Sequence, residues 1–189
     1  LLKVSGDGSK LSVVATGFRN PNGLGVSPSG GITAADQQGT WVPETRLDII
    51  KPGGVYGYMP MHKRATAPTT FDPPLMWVPR VLDNSAGGQV WVPKNQWDEF
   101  GGGLIHFSYG RCTMMHVISD GGDNGGAVAL PGRFLSGVCR GRFNSKDGHL
   151  YVSGLRGWQT AAVRDGCLQR VRYTGEPFPR PVGVKVYST

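Results

Sequence analysis

Cysteine is scarce. The 189 residues include three, Cys112, Cys139 and Cys167, and no two of them form a CxxC or CxxCH spacing. That excludes a zinc ribbon and a covalent haem site within this sequence. One disulfide with a free thiol, or three buried thiols, are both open on spacing alone. Long apolar runs are also missing. None reaches the roughly 20 residues a bilayer-spanning helix needs, so no membrane-spanning segment is expected. Few stretches of ten residues lack Gly or Pro, which excludes helices of ordinary length. Basic runs are absent too. The net charge is +7, yet the Lys and Arg are scattered and no basic helix forms. With no recognition motif beside them, a nucleic-acid partner is not expected. The charge instead favours anionic cofactors, acidic proteins or membrane surfaces.

Gly and Pro are plentiful. There are 30 Gly and 14 Pro, while 39% of residues are hydrophobic. That balance fits many short strands joined by tight turns, not a disordered chain. The length suits one domain with a real core. Residue 1 is Leu inside a strand-like run, so residues 1–189 are expected to be part of a longer polypeptide, truncated at both ends. A hairpin is expected from 1–4 and 11–15 around an Asp-Gly turn. Further strands are expected at 23–26, 32–35, 47–50, 75–78, 89–92, 104–108, 113–118, 127–130, 137–143, 149–152 and 167–173, with another starting in 182–187. Residues 59–74 read as a long surface loop, and 80–88 as a polar loop.

The spacing echoes itself. NGLGVSPSGGITAA from Asn22 resembles GRFNSKDGHLYVS from Gly141, each a strand, a short polar turn and a strand. Repeated units of about four short strands are the mark of a β-propeller. About three such units fit this chain, whereas propellers close with 4–8 blades. A two-sheet sandwich fits the same spacing. Within 17–58, strand ends carry Arg19, Asn20, Asp36 and Gln37 beside Gly-rich turns. Such rims can present a site, although Asn, Asp, Gly and Pro also make turns for local reasons.

GFRNPNGLGVSPSGGITAADQQG and LDIIKPGGVYGY together resemble the blade signature of the soluble quinoprotein glucose/sorbosone dehydrogenase family. PLMWVPRVLDNSAGGQVWVP, LIHFSYGR, VCRGRFNSKDGHLYVSGLRGWQ and LQRVRYTGEP resemble its bacterial sorbosone-dehydrogenase-like branch, some members of which are fused to cytochrome domains. The resemblance covers nearly the whole chain. It implies an all-β fold, a six-bladed β-propeller of which about three blades are present. It also implies a dehydrogenase that uses pyrroloquinoline quinone (PQQ) and calcium, oxidises a sugar or alcohol, and passes electrons to a cytochrome or other acceptor. A periplasmic or extracellular location follows from the same resemblance.

The resemblance assigns cofactor-binding roles to Arg19, Asn20, Arg80, Arg111 and Arg140. It assigns calcium-holding carbonyls to Gly39 and Thr40. PQQ is a flat ortho-quinone with three carboxylates, and guanidinium groups bind carboxylates in bidentate fashion. Calcium takes hard oxygen ligands, backbone carbonyls included. The sequence departs from the family in two places. Gly39-Thr40 stands where Gly-Pro is common, and Val138 stands where a second Arg would pair with Arg140. The family's catalytic His falls before Leu1, and none of His62, His106, His116 or His149 matches it.

Each residue also has a plainer reading. Arg19 can pair with Asp36 or cap a turn, and Arg80, Arg111 and Arg140 can be solvated or packed on aromatics. Trp77, Trp91, Trp97 and Trp158 read as packing residues. The readings separate on geometry: the cofactor reading expects Arg19, Asn20, Gly39, Arg80, Arg111 and Arg140 at one end of the blades around a channel. A non-catalytic propeller, serving as a structural or interaction subunit, is the alternative.

Overall fold

The computed structural model describes residues 1–175. The strand expected within 182–187 lies outside them. Alternating short apolar runs and Gly/Pro turns fold into thirteen strands, with two single-turn 3-10 segments (Met59–Met61 and Asp98–Phe100) as the helical content among the described residues. A small hairpin comes first, β1 (Leu2–Val4) against β2 (Leu11–Val13). A four-stranded sheet follows in chain order: β3 (Pro21–Val26), β4 (Ile32–Asp36), β5 (Thr45–Ile50) and β6 (Met76–Val78). The second sheet is β7 (Ala86–Trp91), β8 (Leu104–Ser108), β9 (Thr113–Ser119) and β10 (Gly125–Ala129). The third is β11 (Gly137–Phe143), β12 (Leu150–Leu155) and β13 (Cys167–Val171). All neighbours are antiparallel meanders.

The first strands of the three sheets, β3, β7 and β11, pack against one another. Glycine permits this approach. Gly23 sits at φ +109, and a Cβ there would collide with the Gly87 carbonyl. A Cβ at Gly87 would in turn collide with the Val138 carbonyl. The strand reading fell short at several strand ends, above all here: residues 86–88 read as loop, yet they open β7. Their glycines look like turn residues in sequence, but here they let two backbones touch. The sheets therefore radiate from a common axis instead of stacking as two layers.

Apolar layers fill the wedges between sheets. Ala35 and Leu47 meet Leu75, Ala86, Leu104 and Val117 between the first and second sheets. Val90, Ile105, Phe107 and Met114 meet Val138, Leu150 and Val152 between the second and third. Covered on both faces, β8 is buried at every residue, as its near-continuous apolar run LIHFS implies. The outer hairpin differs. Leu2, Val4, Leu11 and Val13 face each other across its register, and all are more than half exposed.

A buried ion pair braces the first sheet. Arg46 on β5 donates from Nε and Nη2 to the Asp48 carboxylate at 2.7–3.0 Å, and from Nη2 to the Asp72 carbonyl at 2.7 Å. Both side chains are essentially inaccessible. The rings of Tyr56, Phe71 and Trp77 stand 5.4–5.5 Å from the guanidinium carbon. The end of the 59–74 loop is thus tied into the sheet, more firmly than a surface loop would be.

His116 on β9 is half-buried, with its ring edge-on to Phe100 at 4.9 Å. Burial lowers its pKa from the ordinary 6.5. The unfolded chain then binds more protons than the folded one as pH falls below about 6.5, so stability is full above that pH and declines below it. Urea unfolding of His116→Gln between pH 5 and 7 should show a flatter pH dependence than the wild type. An unchanged slope would assign the loss to other groups.

Candidate functional site

The three inner strands run in parallel register, which aligns their beginnings. Asn22 of β3 donates from Nδ2 to the Ala86 carbonyl of β7 at 2.8 Å. Arg140 of β11 donates from Nη1 to Asn22 Oδ1 at 2.9 Å, and to the Cys139 carbonyl at 2.6 Å. One rim is therefore built from Asn20 before β3, Asp36 and Gln37 at the end of β4, Ser85 before β7, and the residues just after β12.

Asp36 organises the corner. Buried at the end of β4, it accepts the backbone amides of Arg19 at 2.6 Å and Asn20 at 2.7 Å. Burial is the largest influence on its carboxyl and pushes its pKa up, against the pull of those amides. The turn at Arg19-Asn20 is thereby fixed, with the Asn20 side chain projecting from the rim. Asn20 Nδ2 donates to Gln37 Oε1 at 2.8 Å, and Gln37 Nε2 donates to Ser85 Oγ at 3.2 Å. Trp158 Nε1 donates to the same Ser85 oxygen at 3.2 Å. Ser85 holds φ at +104, a conformation that costs a non-glycine residue about 1–3 kcal/mol and tends to accompany functional sites.

Beside these residues lies an open cavity of about 370 Å³ lined by Asn20, Pro21, Asn22, Gln37, Cys139, Arg140, Leu155 and Trp158. Its one formal charge is Arg140. Only Nη1 of that guanidinium has a hydrogen-bond partner among the described residues; Nε and Nη2 have none. Cys139 brings no thiolate, because burial raises its pKa more than the Arg140 charge lowers it. The cavity is thus a cationic pocket lined also by amide groups and an indole. Its chemistry suits a flat anion.

The other sequence-named residues lie on the same rim but outside that lining. Arg19 donates from Nη1 to the Gln38 carbonyl at 3.3 Å, and its guanidinium lies flat where a side chain on Gly39 would project. Asp36 thus takes Arg19's backbone amide and not its side chain. Arg80 contacts Glu44 at 3.6 Å and donates to the Pro43 carbonyl at 3.2 Å. Arg111 donates to the Arg80 carbonyl at 2.6 Å from Nη2 and 3.2 Å from Nε. Arg80 and Arg111 therefore pair with each other's neighbourhood, while Asn20 and Arg140 share the cavity. Val138, the departure from an Arg pair, is a buried member of the core.

The loop at Gly39-Thr40 does not present a calcium cradle as folded. The Gly39 carbonyl accepts the Val42 amide at 3.0 Å, and the Arg19 cation covers the glycine. No cluster of three or more His, Cys, Asp or Glu residues suited to a metal occurs among the described residues. The residues here do not fit the ion without rearrangement. Those of the cavity do fit PQQ in donor type: a guanidinium with unpaired N–H groups, three amide side chains and a flat ring.

No histidine lines the cavity. His106 is fully buried, its Nε2 2.7 Å from Asp83 Oδ2, and Ser108 Oγ donates to Asp83 Oδ1 at 2.6 Å. That network pins the loop before Ser85. All three cysteines are free thiols. The sequence reading placed Trp158 in packing, but it is 50% exposed and forms a cavity wall. Gln37 lies on the rim that the sequence marked, whereas Asn22 and Ser85 were not singled out.

Radial antiparallel meanders meeting at glycine-lined inner strands define a propeller-type fold. Solved structures share it. The chain is similar to a glucose dehydrogenase (22% identity, TM-score 0.62), covering 89% of this chain and 49% of that one. It is similar to the PQQ-bound form of aldose sugar dehydrogenase from Streptomyces coelicolor (18%, TM-score 0.58), covering 89% and 50%. It is also similar to the apo form of the soluble aldose sugar dehydrogenase from Escherichia coli (17%, TM-score 0.57), covering 84% and 46%. The chain spans at most half the length of each. No family model matches it, and no curated protein does.

Proposed function

We propose that this chain is part of a PQQ-dependent sugar or alcohol dehydrogenase of the glucose/sorbosone dehydrogenase kind, acting in a periplasm or outside the cell. Its three radial sheets are about half of a six-bladed ring. The exposed apolar face of the β1–β2 hairpin is suited to packing against a further sheet of that ring. The observation that carries the reading is the cavity shared by Asn20 and Arg140, two residues the family resemblance assigns to the cofactor. Solved relatives in fold that are named as sugar dehydrogenases, one of them PQQ-bound, support it.

Each residue has a defined part. Arg140 would hold a carboxylate through Nε and Nη2, its Nη1 being kept on Asn22, which orients the guanidinium. Asn20 is held by Gln37, and its amide would face the ligand's oxygens. Leu155 and Trp158 give that edge its apolar lining. When bound, an ortho-quinone supplies a two-electron acceptor for a substrate carbinol. The proton acceptor is outside the described cavity, since His106 is committed to Asp83 and Cys139 stays protonated. The family resemblance implies a cytochrome or other acceptor for the electrons. Calcium belongs to this reading through the resemblance alone and would require the Gly39-Thr40 loop to move.

A second reading is a non-catalytic propeller serving as an interaction subunit. Val138 in place of an Arg and the closed Gly39 turn favour it. Titration of the purified chain with PQQ, followed by absorbance and calorimetry with and without calcium, separates the two. Saturable binding of one equivalent is expected. No binding under either condition leaves the interaction subunit.

A further inference from the structure

A single exposed tryptophan is ordinary on a protein surface. Trp158 differs because it is pinned. Its ring stacks on Tyr109 at 4.2 Å between centroids and 26° between planes, and Tyr109 is fully buried. The Tyr109 hydroxyl accepts the backbone amides of Gly157 at 2.8 Å and Trp158 at 3.2 Å. The indole N–H is already satisfied by Ser85. One ring face is thus covered and the polar edge is spent, while the residue remains half-exposed in the cavity wall. The same Ser85 oxygen accepts Gln37, whose other amide atom holds Asn20. A hydrogen-bonded arc therefore links the first sheet, the second sheet and the loop after β12.

We propose that Trp158 is a preorganised stacking platform, and that the cavity selects flat aromatic anions over anions of equal charge without a π-face. Arg140 would take the carboxylate and Trp158 the ring. The ring is held before any ligand arrives, so little side-chain entropy is lost on binding. Stacking of a ring on an aromatic side chain is worth roughly tenfold or more in affinity. The inference takes its site from the quinone reading and adds the residue that recognises the ligand's face.

The test compares two metal-free probes by calorimetry on the purified chain: isophthalate, and the cyclohexane dicarboxylate of the same substitution. Both carry two carboxylates, and only the first is aromatic. The wild type should prefer isophthalate by about tenfold. Trp158→Phe should keep most of that preference, and Trp158→Leu should remove it. The near-UV circular dichroism of each variant reports whether Tyr109 and the remaining fold stay in place. Equal binding of the two probes, binding of neither, or an undiminished preference in Trp158→Leu overturns the platform. A wild type that discriminates between the probes but does not bind PQQ would instead retain the platform and remove the quinone.

Discussion

Arg46→Met will destabilise the protein by about 3–5 kcal/mol, the usual cost of stranding one member of a buried ion pair. The variant has a side chain of similar length, so packing against Tyr56, Phe71 and Trp77 is largely retained. What is lost is the guanidinium that holds Asp48 and the Asp72 carbonyl. Burial already pushes the Asp48 carboxyl up to about 7 with Arg46 in place. A raised acid makes the folded state bind the extra proton, so its contribution is full below the unfolded value near 3.8 and is lost as pH rises through about 7. Without Arg46 that window extends upward, and the variant should be weakest at alkaline pH. Adding Asp48→Leu removes the stranded carboxylate and should recover most of the loss. Urea unfolding of the single and double variants at two pH values measures this. A single variant within about 1 kcal/mol of the wild type would show that the pair is not a brace.

Arg140→Leu should weaken PQQ binding about 10- to 100-fold while leaving the unfolding midpoint close to wild type. The fold-change corresponds to one charge-assisted hydrogen-bonding group. Arg140 is exposed and supplies the only formal charge in the cavity lining. Its tie to Asn22 is a surface hydrogen bond and contributes little to stability. Arg142→Leu is the control. It removes the same net charge two residues away, from a side chain outside that lining. An effect confined to Arg140 assigns the loss to contact, whereas equal effects would reduce it to long-range electrostatics.

The strands were legible because each is short, apolar and bounded by turn residues. The observed bounds of β8 and β11 coincide with the expected ones. The start of β7 was not legible, since Gly87 and Gly88 earn their place through the backbone of β11, a neighbour remote in sequence. The site was legible to a similar depth. Strand-end position told which rim Arg19, Arg80 and Arg111 occupy, but not their distance from the axis or their local partners. Arg80 follows the outermost strand of its sheet and meets Glu44, so rim position alone could not carry it to the cavity. For Trp158 the sequence carries the ring but not which face stays open. That depends on Tyr109 and Ser85, 49 and 73 positions away.

The cavity between Asn20, Arg140 and Trp158 is the proposed quinone site. A crystal structure of the chain grown with PQQ tests it most directly. The predicted result is one flat ligand against Trp158 with a carboxylate on Arg140 Nε and Nη2. Quinone bound elsewhere on the protein, with this cavity filled by solvent, would contradict it.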